Sequence, residues 1–132
     1  SFTNGTGANR ANEPFADTRT LAASATEDLD LAGGLTDSHG TTLTFTKIKA
    51  IIIKAAATNT NNVQVTRPAS NGLVAFMAAS DGIALTPGAC FALIAPDANG
   101  IAVTAGTGDL LTITNSAGTT GVTYDIVIVG TV

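Results

Sequence analysis

Residues 43–57, Leu-Thr-Phe-Thr-Lys-Ile-Lys-Ala-Ile-Ile-Ile-Lys-Ala-Ala-Ala, form the longest apolar stretch of the chain and hold all three of its lysines, Lys47, Lys49 and Lys54. How this run folds sets the fold class. A helix would gather Ile48, Ile51, Ile52 and Ala55 on one face. A strand would set Lys47 and Lys49 on one side of the pleat and Ile48, Ala50 and Ile52 on the other. Spacing satisfies both, so composition decides. Three consecutive β-branched isoleucines after Thr44 and Thr46 suit a pleated surface, because branching at Cβ stiffens χ1. The run is a strand. From Ile51 to Ile53 both faces are apolar, as in a central strand covered on both sides. On this reading Lys47 and Lys49 share a solvated face, and truncating either to Ala shifts stability by about 0.5 kcal/mol or less.

Beyond the run the rhythm is regular. Strands are predicted over 63–66, 73–78, 83–86, 90–95, 101–104, 110–114 and 122–129, each bounded by Gly, Pro, Asn or Asp. One or two edge-type strands fall within 18–31, where Glu27, Asp28 and Asp30 discourage further pairing. The last strand becomes wholly apolar and is expected to pair beside 51–53. Short strands at roughly ten-residue spacing are the pattern of a sandwich or a jelly roll. The prediction is an all-β chain, a β-sandwich or jelly roll of eight or nine short antiparallel strands, with residues 18–132 as one domain. Residues 1–17 have no periodicity and contain Gly, Asn and Pro, so they read as an extended N-terminal arm. The arm's only large apolar residues are Phe2 and Phe15. Ordering it costs on the order of 15–35 kcal/mol of backbone entropy, so a partner is expected to hold it.

Charge excludes some functions. Charged residues are only 12% of the chain, about half the usual share. Residues 1–46 carry Arg10 and Arg19 against Glu13, Asp17, Glu27, Asp28, Asp30 and Asp37, so the whole net charge of −4 sits there. Beyond them Lys47, Lys49, Lys54 and Arg67 balance Asp81, Asp97, Asp109 and Asp125. This is no footprint for a phosphate backbone, so nucleic acid is not an expected partner. No apolar run is long enough to span a bilayer as a helix, and the first residues lack the pattern of a secretory signal, so no membrane partner is expected. Cys90 is alone, permits no internal disulfide, and reads as a small buried hydrophobe.

Reactive chemistry is equally sparse. Asp37, Ser38 and His39 are the residue types of a hydrolase triad, but neighbours in one turn cannot converge with triad geometry. Gly5-Thr6-Gly7 and Gly106-Thr107-Gly108 lack phosphate-loop spacing. Asp81, Asp97 and Asp109 lie in loops without a calcium-loop pattern, and one His with one Cys makes zinc a poor fit. No cofactor or metal is expected. Phe45, Phe76 and Phe91 read as core, and Tyr124 as half-exposed.

The chain resembles a family of small structural proteins of tailed-bacteriophage virions, the capsid decoration or cement proteins. The likeness is carried by Leu35-Thr36-Asp37, residues 43–50, Asn61-Asn62-Val63, Pro87-Gly88, Ala95-Pro96-Asp97-Ala98, and residues 103–111 and 122–128. It covers about three-quarters of the chain from Gly34 onward, and it implies an all-β fold without catalysis and no site residues to carry over. The function it implies is attachment to an assembled shell. The partners would be the major capsid protein and copies of the chain itself, as dimer or trimer. The site would be the capsid surface of a virion, after synthesis in the host bacterial cytoplasm. Phe2, Arg10, Phe15 and Arg19 are the candidate partner-binding residues. Two alternatives stand beside this: a head- or tail-fibre-type module binding a host surface glycan, and an enzyme relying on His39 or Cys90.

Overall fold

The structure, a computed structural model, describes residues 1–74 and 77–132. Every regular element among the described residues is a strand. In chain order they are β1 (Thr3–Asn4), β2 (Arg10–Ala11), β3 (Glu13–Leu21), β4 (Thr26–Asp30), β5 (Ala32–Thr36), β6 (Thr42–Thr44), β7 (Lys47–Ala55), β8 (Val63–Thr66), β9 (Gly82–Leu85), β10 (Cys90–Ile94), β11 (Ile101–Ala102), β12 (Leu110–Asn115) and β13 (Val122–Thr131).

Two antiparallel sheets make the body. One has the order β10-β7-β13-β3, with β11 pairing the start of β7; the other has the order β4-β12-β8-β9. The chain changes sheet between β3 and β4, β7 and β8, β9 and β10, β11 and β12, and β12 and β13, and returns from β4 to β7 through the β5–β6 hairpin. Alternation along each strand then sends one face inward. Ile51, Ile53, Tyr124, Ile126 and Ile128 of the first sheet join Leu29, Val63, Val65, Leu111 and Ile113 of the second in one buried cluster. This is a β-sandwich. The run at 43–57 is a strand as expected: β7 lies between β10 and β13, and Ile126 stands opposite Ile53.

The ends of the sandwich are closed differently. At one end Asn115, almost wholly buried, donates through Nδ2 to the carbonyls of Ala22 (3.0 Å) and Thr120 (2.7 Å) and accepts from Asn61 Nδ2 (3.0 Å). Asn59 pairs with the backbone of Thr123 through both ends of its amide. Loops leaving β3, β7 and β12 are thus tied together by side chains that replace missing ladder bonds. On the open side between β3 and β4, the β5–β6 hairpin folds in and buries Leu35 and Leu43.

Several expectations need correction. Residues 73–78 do not form a strand where described: Leu73 is buried and donates to the Leu110 carbonyl, but lies outside any strand, while Phe76 lies outside the described residues. The strand expected at 101–104 shrinks to two residues. Tyr124 is fully buried, because its position on β13 has the same parity as Ile126 and Ile128. Cys90 is exposed, on the outward parity of edge strand β10.

Lys49 is the sharpest correction. It is wholly buried, not solvated. Along β13 the register steps from Val129 opposite Ala50 to Gly130 opposite Ile48, so β7 carries one extra residue there. The bulge returns Ile48 to the core and turns Lys49 under the loop at 95–100, where its ammonium donates to the Asp97 carbonyl. Gly130 permits this: a Cβ there would strike the Lys47 carbonyl and come within 2.8 Å of the Phe45 ring. Lys47 is half-buried and donates to the Ala98 carbonyl at 3.1 Å.

The arm boundary also moves. β3 begins at Glu13, so residues 13–17 are the first half of a sandwich strand. The rest lies on its own domain: β1 and β2 make a short parallel ribbon, Asn9 donates to the Pro96 carbonyl at 2.7 Å, and Asn12 to that of Gly130 at 3.1 Å. The acceptors belong to the same chain: the Pro96 carbonyl follows β10 and the Gly130 carbonyl lies in β13.

Candidate interaction surfaces

Three cross-strand rows make the outward face of the first sheet. Register places Ile94, Ala50, Val129 and Pro14 in one, Ala92, Ile52, Val127 and Ala16 in the next, and Cys90, Lys54, Asp125 and Thr18 in the third. Two successive rows therefore contain no polar side chain. Ile94 is 60% exposed, and Ile52 and Val127 are each 36% exposed. The second apolar face of residues 51–53, expected to be covered, is open at Ile52.

The arm overlaps one end of this face. Phe2, half-buried, lines a shallow hollow of about 280 Å³ with Ala11, Pro14 and Val129. Arg10 is exposed on β2, and its side chain passes over Gly5, where a Cβ would meet Arg10 Cδ at 2.9 Å. Phe15 is 6% exposed and belongs to the core. An inward position on β3 consumes it, so it presents no ring to a partner. The four residues picked from the sequence are thus not one cluster: Phe2 and Arg10 lie with the arm, Phe15 in the core, and Arg19 at the β3 edge.

Arg19 is engaged within the chain. Its Nε and NH2 atoms donate to both carboxylate oxygens of Glu27, the shortest at 2.7 Å, and NH1 reaches Asp17 at 2.9 Å. The Tyr124 hydroxyl donates to Glu27 Oε1 at 2.5 Å. β3 and β4 lie in different sheets, so this fork and hydroxyl tie the sheets at their shared open side. Burial pushes the Glu27 carboxyl up, but the hydrogen bonds from Arg19 and then Tyr124 pull it further, leaving it below the usual carboxylate range. Burial and the bond to Glu27 raise the Tyr124 hydroxyl well above the ordinary phenol value. The guanidinium of Arg19 is raised as well, chiefly by its bond to Glu27.

The residues with chemistry in their side chains serve turns. Asp37 accepts from the backbone N–H of Thr41 and of His39, each at 2.8 Å, and these bonds, Thr41 first, hold its carboxyl below the ordinary value. His39 is exposed. Asp97 accepts from the Gly100 N–H and Asp109 from the Gly106 N–H, each at 2.5 Å. No group of three His, Cys, Asp or Glu with metal-holding geometry occurs among the described residues.

A second feature, missed in the sequence, is a groove of about 630 Å³ between residues 13–19 of β3 and residues 34–39. Compared with protein-family models, curated proteins and solved structures, the chain matches none.

Proposed function

We propose that this chain is a structural virion protein that binds the assembled capsid of a tailed bacteriophage and stabilises it, with no catalytic step. The observation that carries the reading is the outward face of the first sheet, where two successive cross-strand rows are apolar and Ile52, Val127 and Ile94 are exposed. An apolar patch of that kind on a rigid sandwich suits lasting attachment to another protein surface. The strand orders β10-β7-β13-β3 and β4-β12-β8-β9 support a jelly-roll reading of the sandwich, eight strands divided four and four between two sheets. The major capsid protein and further copies of the chain, as dimer or trimer, are the partners this reading names. The glycan-binding alternative calls for an exposed cluster of Tyr, Asn and Asp, and Tyr124, the one tyrosine of the chain, is buried.

Imaging of particles purified from infected bacterial cultures tests it. The expected result is density for this sandwich at regular positions, stoichiometric with the major capsid protein and with the Ile52–Val127 face turned to protein. Particles that lack the chain, or carry it with that face in solvent, would refute the proposal.

A further inference from the structure

An edge strand exposes one row of backbone N–H and C=O groups. β3 is the terminal strand of its sheet, paired only with β13. Among the described residues, no backbone bond outside that ladder involves residues 14–20. The groove described above touches Glu13, Pro14, Phe15, Ala16 and Asp17 in succession. Consecutive strand residues point to opposite faces, so a groove that meets all five runs along the edge of the strand and not over a face. Its far wall is Gly34, Leu35, Thr36, Asp37, Ser38 and His39, the end of β5 and the turn after it. Seven residues of strand, Glu13 to Arg19, give an edge of about 23 Å.

The lining also has a sign. Its titratable groups are Glu13, Asp17, Asp37, Arg19 and His39. Arg19 is shared between Asp17 and Glu27, Asp37 is bonded to its own turn, and His39 is exposed. Three lining carboxylates, Glu13, Asp17 and Asp37, face one guanidinium that Glu27 also holds, so the groove is acidic, and the Glu13 side chain has no hydrogen-bonded or ionic partner among the described residues. We infer that this groove is a strand-addition site that takes an extended, lysine- or arginine-bearing segment of another polypeptide, hydrogen-bonded along the β3 edge with its basic side chains toward Glu13 and Asp37. Backbone pairing supplies the affinity and charge supplies the selection. The inference stands apart from the virion reading, because it needs only the edge, the wall and the charge.

The test uses the full chain and two synthetic probes, the octapeptides (Thr-Lys)4 and (Thr-Glu)4, at low and high salt. The expected result is at least tenfold tighter binding of the lysine peptide at low salt. Alternate backbone amides within residues 14–20 should also gain protection from hydrogen exchange when it binds. Glu13→Lys, a change at a partly exposed edge position, should weaken the lysine peptide roughly fivefold at low salt and narrow the gap between peptides. Equal binding of both peptides, or binding without alternate protection in β3, would overturn the inference. So would protection of the β3 edge that rises with protein concentration in the absence of peptide, since that would assign the edge to a second copy.

Discussion

Tyr124 and Glu27 join the two sheets: a hydroxyl on β13 donates at 2.5 Å to a carboxylate on β4, and Arg19 of β3 clasps the same carboxylate from the other side. The contact removes a buried polar group from isolation and neutralises the carboxylate in one step. Tyr124→Phe is expected to cost about 1–2 kcal/mol, as for a hydrogen bond to a charged group that keeps a second partner. Urea unfolding checks it, and an unchanged midpoint would show that water replaces the hydroxyl.

Acid should weaken the same contact. The folded-state value of Glu27 is depressed, so its contribution is fully present above the unfolded carboxyl value near 4.5 and is lost as pH falls through the folded value. Tyr124 runs the other way. Its folded value is raised, so its contribution is fully present below the unfolded phenol value of about 10 and is lost as pH rises beyond it. Thermal unfolding of the wild type and Glu27→Gln should therefore diverge above pH 5 and converge in strong acid.

The three lysines should separate. Lys49→Ala removes a buried four-carbon stem and leaves the Asp97 carbonyl without its donor, at about 2–4 kcal/mol. Lys54→Ala, on the exposed outer row, is expected within about 0.5 kcal/mol of wild type. Equal small effects for both would mean the bulge does not bury Lys49 in solution.

Asn115 holds one end of the sandwich, and its replacement by Ala removes a buried donor to the Ala22 and Thr120 carbonyls and an acceptor for Asn61 Nδ2 and the Ala117 N–H. A loss of about 2–4 kcal/mol is expected. Amides of the loops at 22–25 and 116–121 should then exchange faster than those of the β7–β13 ladder.

Truncation distinguishes the arm from the strand it leads into. Removing residues 1–11 should leave a folded sandwich with a modestly lower midpoint. Removing 1–17 deletes half of β3 together with buried Phe15, whose loss alone is worth about 3–5 kcal/mol, and should abolish folding at 37 °C.

The fold class was legible because β-branched runs and turn residues alternate so regularly. Ile51 to Ile53 beside Ile126 to Ile128 could be read as the heart of a sheet from composition alone. Lys49 could not, because its burial depends on a bulge created by Gly130 on a strand about eighty residues later. Tyr124 was misplaced for want of its partner: nothing near it in sequence announces that Glu27 will cap its hydroxyl. The seat of the arm on its own domain could not be read either, because Asn9 and Asn12 donate to the carbonyls of Pro96 and Gly130, far along the chain. Arg10 and Arg19 stand among the sequence candidates, but only the fold shows that Arg19 is held by Glu27 and that Ile52, Val127 and Ile94 are the exposed large apolar residues of the first sheet.

The pairing of β3 with β13 also sets how the molecule bears a load. Glu13 stands opposite Gly130 and Leu21 opposite Val122, so the chain enters edge strand β3 and leaves its neighbour β13 at the same end of the sheet. Tension between the ends would meet the antiparallel bonds one at a time, opening them like a zipper, whereas tension along opposed strand ends would strain them all together. A chain threaded this way yields at low force when pulled by its termini. It keeps its mechanical strength for stress applied across the faces of the sandwich, where the whole buried core resists at once.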